Sequence, residues 1–186
     1  ADIVLENFRP GTMDKLGYGK KECWSINPKL IYCSISAFGH RGNPEWSSKP
    51  GYDLILQGMG GIPSITGASD GSPSKVGASI ADVVSGMNAF SGILLALIGR
   101  AQTNQGQHVD ISMQEGQLAL HTYLASAWLN AGVEPPRNGN RHLSIAPYST
   151  YQAQDGWINI AVANQKLWSL FCAAIERDDL ENDPRF

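Results

Sequence analysis

The run Lys75-Val-Gly-Ala-Ser-Ile-Ala-Asp82-Val-Val-Ser-Gly-Met87 organises this chain of 186 residues, because small residues lead there to one acid that opens an apolar helix. After Asp82, apolar residues recur at three- and four-residue spacing, and no proline occurs before Arg100. The pattern predicts a buried amphipathic helix. An acid in the first turn meets free N–H groups and the positive end of the helix dipole. We therefore expect Asp82 to be a carboxylate, either as an N-cap or as a reactive group.

Two apolar runs before this helix predict a parallel βαβ unit. Ile3-Val4-Leu5 precedes a turn at Pro10-Gly11 and two helical segments, and residues 30–35 form the second run. Neither run alternates, as expected of strands covered on both faces. Ligands of such sheets bind beyond the carboxyl ends of the strands, so Asn7 and residues 36–40 should lie at the binding edge.

The segments around the central helix predict further elements of an α/β domain. Residues 39–51 form a loop rich in Gly, Pro and Ser, and the helix that follows ends at the glycines of residues 58–61. These glycines fail the dinucleotide-binding fingerprint at its last position. Residues 106–113 alternate as a strand, and residues 115–129 return to helical spacing.

A change in composition predicts a second domain. Residues 132–144 are polar and rich in Pro, Asn and Gly, which indicates a linker. Beyond it, two strand-like runs flank Asp155-Gly156, a pair that supplies the positive φ angles of a tight hairpin turn, and residues 165–175 predict a helix. We therefore predict a large domain over residues 1–131, a linker over 132–144 and a smaller α+β domain starting at residues 145–186.

Composition excludes several function classes. A net charge of -3 without a basic run argues against nucleic acid. Three cysteines without CxxC spacing argue against a disulfide scaffold and a zinc site and favour a reducing compartment. Four histidines without metal-ligand spacing also argue against a metal site. The apolar stretch Phe90 to Ile98 is too short to span a membrane. The first residues read as a strand already in progress, so we expect the chain to be a fragment.

Six motifs, taken together and in order, resemble those of the family III CoA-transferases, the CaiB/BaiF family, which includes formyl-CoA and carnitine-CoA transferases and related acyl-CoA racemases. The resemblance implies a large domain with a Rossmann-like parallel sheet, a smaller domain, and two full-length chains interlocked as a homodimer. This chain would cover roughly half of such a protein. The motifs are Asp2-Ile-Val-Leu-Glu-Asn-Phe-Arg-Pro-Gly11, Asn27-Pro-Lys-Leu-Ile-Tyr-Cys-Ser-Ile35, Lys49-Pro-Gly-Tyr-Asp53, Ile80-Ala-Asp82, Gly106-Gln-His-Val-Asp110 and Ser144-Ile-Ala-Pro-Tyr148.

The resemblance also implies a site for coenzyme A, bound as the acyl-CoA substrate, without a metal. The family's catalytic acid falls on Asp82, whose carboxylate attacks the donor thioester and later carries CoA as an aspartyl thioester. Some members have a lysine at the position of Pro50, whereas the nearest lysine here is Lys49. The positions that face the adenine and phosphates of CoA fall on Asn7, Phe8, Arg9, Lys15, Pro50, Gly51, Tyr52 and Asp53.

Three functions stay open at this point. The first is a cytoplasmic enzyme, or a mitochondrial-matrix enzyme in a eukaryote, that moves CoA from an acyl-CoA donor to a carboxylic acid acceptor. The second is an acyl-CoA racemase, in which a histidine at the position of Tyr52 would share proton transfer with the aspartate. Because the side chain of tyrosine does not have a pKa suited to this proton transfer, Tyr52 favours the transferase. The third is a non-catalytic CoA-binding or dimerising fragment.

Overall fold

Three parallel strands form the sheet on which the first unit is built. The computed structural model describes residues 1–185, and the strands β1 (Ile3–Glu6), β2 (Ile31–Ser36) and β3 (His108–Ser112) lie side by side in that order. β2 pairs in parallel with both neighbours. The predicted parallel α/β arrangement is therefore confirmed. Both runs were predicted to be covered on both faces, and this is confirmed for β2 only. β1 is an edge strand, and its Leu5 is exposed.

Nine α-helices surround or follow these strands in the part of the chain that the structure describes. The loop predicted over residues 39–51 contains one short helix, and the helix predicted over residues 115–129 is two helices that meet at Thr122, whose φ is 43°. The helices are α1 (Thr12–Lys15), α2 (Lys20–Ile26), α3 (Pro44–Ser47), α4 (Asp53–Gly60), α5 (Ile62–Ile65), α6 (Ile80–Thr103), α7 (Met113–Leu120), α8 (Thr122–Ala131) and α9 (Gln165–Ala174).

The long helix α6 packs against β2, β3, α4 and α7 through its small residues. Ala81, Ser85, Ala89 and Ala96 are buried. A Cβ on Gly92 would come within 2.6 Å of Cγ1 of Val109, so the helix lies very close to β3 at that point. The spacing of four residues between the first three buried positions lets the helix approach the sheet closely.

The large apolar residues of α6 lie on its other faces, and the prediction that they form the buried face is wrong. Met87 is 64% exposed and Phe90 is 66% exposed. By length and composition alone the helix could cross a membrane, since an 18-residue window reaches a mean hydropathy of 1.6. The sequence analysis considered only the shorter run Phe90 to Ile98. Core helices of other proteins pass the same test.

The second unit contains an antiparallel hairpin of β4 (Tyr148–Gln152) and β5 (Trp157–Ala161), followed by α9. Four residues, 153–156, connect the strands, and the Ala153 N–H donates to the carbonyl of Gly156. Neither Asp155 nor Gly156 has a positive φ, so the predicted tight turn is wrong. The longer loop closes the hairpin without left-handed residues.

Contacts assign residues 65–73 to this second unit, together with the chain from Pro136 onward. The Arg137 guanidinium donates to the carbonyls of Ala68 and Gly71, and the Gly139 N–H donates to the carbonyl of Gly67. The domain boundaries drawn at 1–131, 132–144 and 145–186 stay a prediction about the whole protein.

Candidate functional site

A cavity of about 500 Å³ lies at the carboxyl ends of the three parallel strands. The loop after β1, the end of β2, the segment before α4 and the first turns of α6 all contribute to its wall. This is the edge at which the sequence analysis placed a ligand. The lining residues are Asn7, Phe8, Arg9, Pro10, Ile35, Ser36, Ala37, Lys49, Pro50, Gly51, Tyr52, Asp53, Asp82, Ser85, Gly86 and Met113.

The structure brings together nearly all of the residues that the sequence analysis singled out. Asp82 lines the cavity, as do seven of the eight positions assigned to CoA: Asn7, Phe8, Arg9, Pro50, Gly51, Tyr52 and Asp53. Lys15, the eighth, is the last residue of α1 and is not part of the wall. The roles of these residues stay predictions.

The loop after β1 is held in place by a buried acid. Glu6 is the last residue of β1 and is 6% exposed. Its Oε2 accepts a hydrogen bond of 2.9 Å from the N–H of Phe8. This bond turns the chain directly after the strand, so that Phe8 and Arg9 reach the cavity. Sequence reasoning did not single out Glu6.

A pair of side chains on α4, Asp53 and Gln57, ties this helix to the segment that carries Asp82, and we call it the Asp53–Gln57 brace. Oδ1 of Asp53 accepts from the N–H of Ala81 at 2.8 Å, and Oδ2 accepts from Nε2 of Gln57 at 2.7 Å. Oε1 of the fully buried Gln57 accepts from the N–H of Val76 at 2.9 Å. The brace therefore fixes both the approach to α6 and its first turn.

Sequence reasoning assigned Asp53 to CoA and missed its bonds to the protein. The signal was the spacing of Asp53 and Gln57, which are four residues apart and so lie on one face of α4. What the sequence does not show is that the other end of the brace lies 28 residues further along, at Ala81.

Asp82 is the third residue of α6, and it is not the N-cap. Ser79 occupies the cap position, and its side chain makes no capping bond with any residue of 1–185. The N–H of Ala81 is bonded to Asp53, so a carboxylate from another helix takes the place of a local cap. The Asp82 side chain makes no hydrogen bond within the described chain and is left facing the cavity. The reading of Asp82 as a simple cap is therefore wrong.

The pKa of Asp82 is raised from its ordinary value, first by burial and second by the negative charge of Asp53. This direction is opposite to the one expected from the helix dipole. The reason is tertiary, because the fold partly desolvates the carboxylate, although Asp82 stays accessible, and α4 brings a second acid near it. A carboxylate that loses solvation and has no hydrogen bond is a better nucleophile than one in water.

Ser36, which the sequence analysis placed at the binding edge, and Gly86, which it did not single out, also line the cavity. Ser36 ends β2 and is 7% exposed, and its Oγ has no hydrogen-bond partner among residues 1–185. Gly86 lies one turn beyond Asp82 on α6.

A polar network joins the loop after β2 to β3. Both the backbone N–H and Nδ1 of His40 bond to the carboxylate of Asp110, at 3.0 to 3.1 Å. Burial would raise the pKa of Asp110, but these bonds from His40 hold it below its ordinary value. The network thus fixes the start of the loop that leads to α3.

His108 is within hydrogen-bond distance of two other side chains. Its Nδ1 is 3.2 Å from Nζ of Lys20, and its Nε2 is 3.1 Å from Oγ of Ser34. Burial, followed by the charge of Lys20, lowers its pKa to about 4. Candidate ligand atoms of His40, His108 and Asp110 lie within 4.8 Å of one another, which is close enough to hold a metal ion. Both ring nitrogens of His108 have a hydrogen-bond partner, and one of these partners is the ammonium of Lys20. We therefore interpret the three residues as a hydrogen-bond network.

Comparison with known proteins gives one consistent result. The sequence profile described as CoA-transferase family III matches residues 1–186. The acetyl-CoA:oxalate CoA-transferase of Acetobacter aceti is 43% identical over 100% of this chain and 48% of its own length. The succinyl-CoA:mesaconate CoA-transferase of Haloarcula hispanica is 39% identical over 98% of this chain and 47% of its own length.

The fold is likewise found in solved structures. A CaiB/BaiF family protein from Brucella suis matches with a TM-score of 0.85 and 40% identity, over 100% of this chain and 49% of that one. The chain spans about half the length of the curated relatives it matches.

Proposed function

The chain belongs to CoA-transferase family III, and we propose that the protein moves CoA from an acyl-CoA donor to a carboxylic acid acceptor, with Asp82 as the covalent catalyst. The observation that carries the proposal is the position of Asp82. Its carboxylate lies on the first turn of α6 and faces a cavity that is also lined by Phe8, Arg9 and the segment from Lys49 to Asp53. A nucleophile and a binding wall therefore share one space.

The reaction proceeds through four exchanges at one carboxylate. An oxygen of Asp82 attacks the carbonyl carbon of the donor thioester, and the C–S bond breaks to give a mixed anhydride and CoA thiolate. The thiolate attacks the Asp82 carbonyl carbon, and the donor acid leaves, so that CoA is held as an aspartyl thioester. The acceptor carboxylate and then the released thiolate repeat these two steps in reverse order. No proton or electron is gained or lost, and the energy of the thioester is conserved.

The protein's part in this chemistry is position and solvation. The Asp53–Gln57 brace holds the backbone of the first turn of α6, so the position from which the Asp82 side chain extends does not have to be ordered during the reaction. Fixed geometry of this kind contributes several kcal/mol to a reaction between bound groups, on the order of 7–11 in the best small-molecule cases. The raised pKa of Asp82 reflects partial desolvation and the nearby charge of Asp53, and partial loss of water makes a carboxylate more reactive.

For CoA itself, Arg9 is the cation best placed to bind a phosphate. It lines the cavity and has no ion-pair partner within residues 1–185. Lys49 also lines the cavity, but its Nζ is 3.3 Å from Glu45 and 4.0 Å from the ring centre of Trp46. A guanidinium offers paired donors to phosphate oxygens, and we assign that role to Arg9. Lys15 could reach only a part of CoA that extends beyond the wall.

The two relatives named above suggest the class of acceptor. One is named for oxalate and the other for succinyl-CoA and mesaconate, and all of these acids carry two carboxyl groups. We propose a short dicarboxylic acid as the acceptor. A mass-spectrometric screen of acyl-CoA donors against mono- and dicarboxylic acids tests this, and exclusive use of monocarboxylic acids would contradict it.

The covalent step has a direct test in the full-length protein. Asp82→Asn keeps the shape of the side chain and breaks no hydrogen bond, so the fold should survive while transfer falls by several orders of magnitude. Hydroxylamine added during turnover should leave a hydroxamate on the peptide that contains Asp82. Near-normal transfer by Asp82→Asn, or trapping on a different acid, would show that the mechanism is wrong.

We also propose that the full-length protein is a homodimer and that the exposed apolar face of α6, formed by Met87, Phe90 and Leu94, is covered in it. Light scattering of Phe90→Lys should then show a smaller particle or aggregation, and an unchanged dimer would exclude this face.

The three cysteines are free thiols in the described chain, which supports a cytoplasmic location.

A further inference from the structure

Gly86 occupies an unusual position for a glycine. It lies inside α6, one turn after Asp82, where glycine destabilises a helix relative to alanine. Its φ is not in the left-handed region that favours glycine. The backbone at this point could therefore carry any residue, and another reason for glycine has to be found.

Close packing within the described chain is not that reason. A Cβ on Gly86 would meet no atom within 4 Å among residues 1–185. Gly92 in the same helix is a clear contrast, since its Cβ would lie 2.6 Å from Val109. Gly92 lets the helix approach the sheet, whereas Gly86 borders open space.

The open space next to Gly86 is the cavity that Asp82 faces. Both residues line it, and they are four residues apart, so they lie on the same face of α6. Side chains on a helix lean towards its N-terminus, so a Cβ at position 86 would cover the turn that carries Asp82. A methyl group there would therefore take up room beside the reacting carboxylate.

We propose that Gly86 keeps open the space that the acyl group occupies while it is joined to Asp82, and that residue 86 therefore sets how bulky an acyl group the enzyme accepts. This inference rests on the proposed function. Twice in each turnover an acyl group is bonded to the Asp82 oxygen as an anhydride. The atoms nearest the helix are then those on the carbon next to the acyl carbonyl, so substituents on that carbon gain most from a glycine.

The test compares Gly86→Ala with the wild type over acyl-CoA donors of graded bulk, namely acetyl-CoA, propionyl-CoA, succinyl-CoA and isobutyryl-CoA, in the full-length protein. The ratio of kcat/KM for acetyl-CoA to that for isobutyryl-CoA should rise at least about tenfold, the usual effect of one methyl group in a tight pocket. The affinity for free CoA should be the same in both proteins. The Tm of Gly86→Ala should rise, because alanine is the better helix former.

Gly58→Ala is the matched control. Gly58 is also a helical glycine, it is exposed, its Cβ would meet no atom within 4 Å in the described chain, and it does not line the cavity. This variant should raise the Tm without changing the ratio between donors.

Each other outcome has a defined meaning. A uniform loss over all donors, together with weaker binding of CoA, would place residue 86 against CoA and overturn the inference. A lower Tm for Gly86→Ala would show that the glycine is needed for packing, and an unchanged donor ratio would also refute it. Absence of transfer by the wild type with every donor would instead refute the proposed function itself.

Discussion

Replacing Asp53 by asparagine should uncouple the brace that holds the first turn of α6. In the native protein the Asp53 carboxylate accepts two hydrogen bonds, from Ala81 and from Gln57, and Gln57 accepts one from Val76. The oxygen of the introduced asparagine can still accept from Ala81, but its NH₂ group then faces the NH₂ group of Gln57. If the Gln57 amide flips, its NH₂ group faces the N–H of Val76 instead.

In either orientation one buried donor has no acceptor. Leaving such a group unsatisfied costs about 1–3 kcal/mol, so the free energy of unfolding should fall by that amount in Asp53→Asn. Urea unfolding at pH 7 measures it. The side chain keeps its size, which leaves the hydrogen bonds as the cause.

A second substitution should restore what the first removes. In Asp53→Asn with Gln57→Glu, the introduced carboxylate accepts both from the NH₂ group of the introduced asparagine and from the N–H of Val76, so every donor is paired again. Gln57→Glu alone places two carboxylates together and should be destabilising at pH 7. The double variant should therefore be more stable than the sum of the single changes predicts, by at least about 1 kcal/mol. Additive losses would refute the brace.

The same substitution of Asp53 should shift the titration of Asp82. The Asp53 charge contributes to the raised pKa of Asp82, and the neutral amide removes that contribution. Because the nucleophile must be ionised, the acid limb of the pH profile of transfer should move to lower pH in Asp53→Asn. A limb that stays in place would mean that burial alone raises this pKa. Asp155→Asn, in the hairpin loop, serves as the remote control.

Three further outcomes follow from the site. Arg9→Ala should weaken CoA binding about tenfold, whereas Lys15→Ala should have a smaller effect because Lys15 lies off the cavity wall; calorimetry that ranks them in the opposite order would contradict the assignment. Tyr52 should not support racemisation, so a chiral 2-methylacyl-CoA in D₂O should gain no deuterium at its α-carbon, and exchange that Asp82→Asn abolishes would favour a racemase. The pKa of His108 falls from 6.5 to about 4 on folding, so the free energy of unfolding should decline as the pH falls through that range. The decline should be less steep in His108→Gln, and an equal pH dependence of the two proteins in urea unfolding would contradict this.

Local patterns predicted the site's position well because the carboxyl ends of parallel strands meet at one edge. Apolar runs without alternation marked β1 and β2, and the parallel order then placed Asn7 and Ser36 on the same side. The first turn of α6 could be found from Asp82 and the regular spacing after it. None of this required knowledge of a distant contact.

The properties of Asp82 could not be predicted in the same way. The helix dipole is a local effect and indicated a lower pKa, but the larger influences are burial in the folded chain and the charge of Asp53 on α4. The cap of α6 is supplied by Asp53, which is distant in sequence. A sequence shows which residues share a helix face, whereas it does not show which side chain from another helix will meet that face.

The packing of α6 connects the catalytic site with the need for a partner surface. Periodicity identified only the large apolar residues, whereas the face of small residues lies against the sheet because a helix with Ala81, Ser85 and Ala89 can lie closest to it. Close approach brings the first turn, and hence Asp82, to the strand ends. It also leaves Met87 and Phe90 on the outside, where burying each would stabilise the protein by about 1.5–3 kcal/mol. The arrangement that places the nucleophile therefore also creates a surface whose coverage by further protein is favourable.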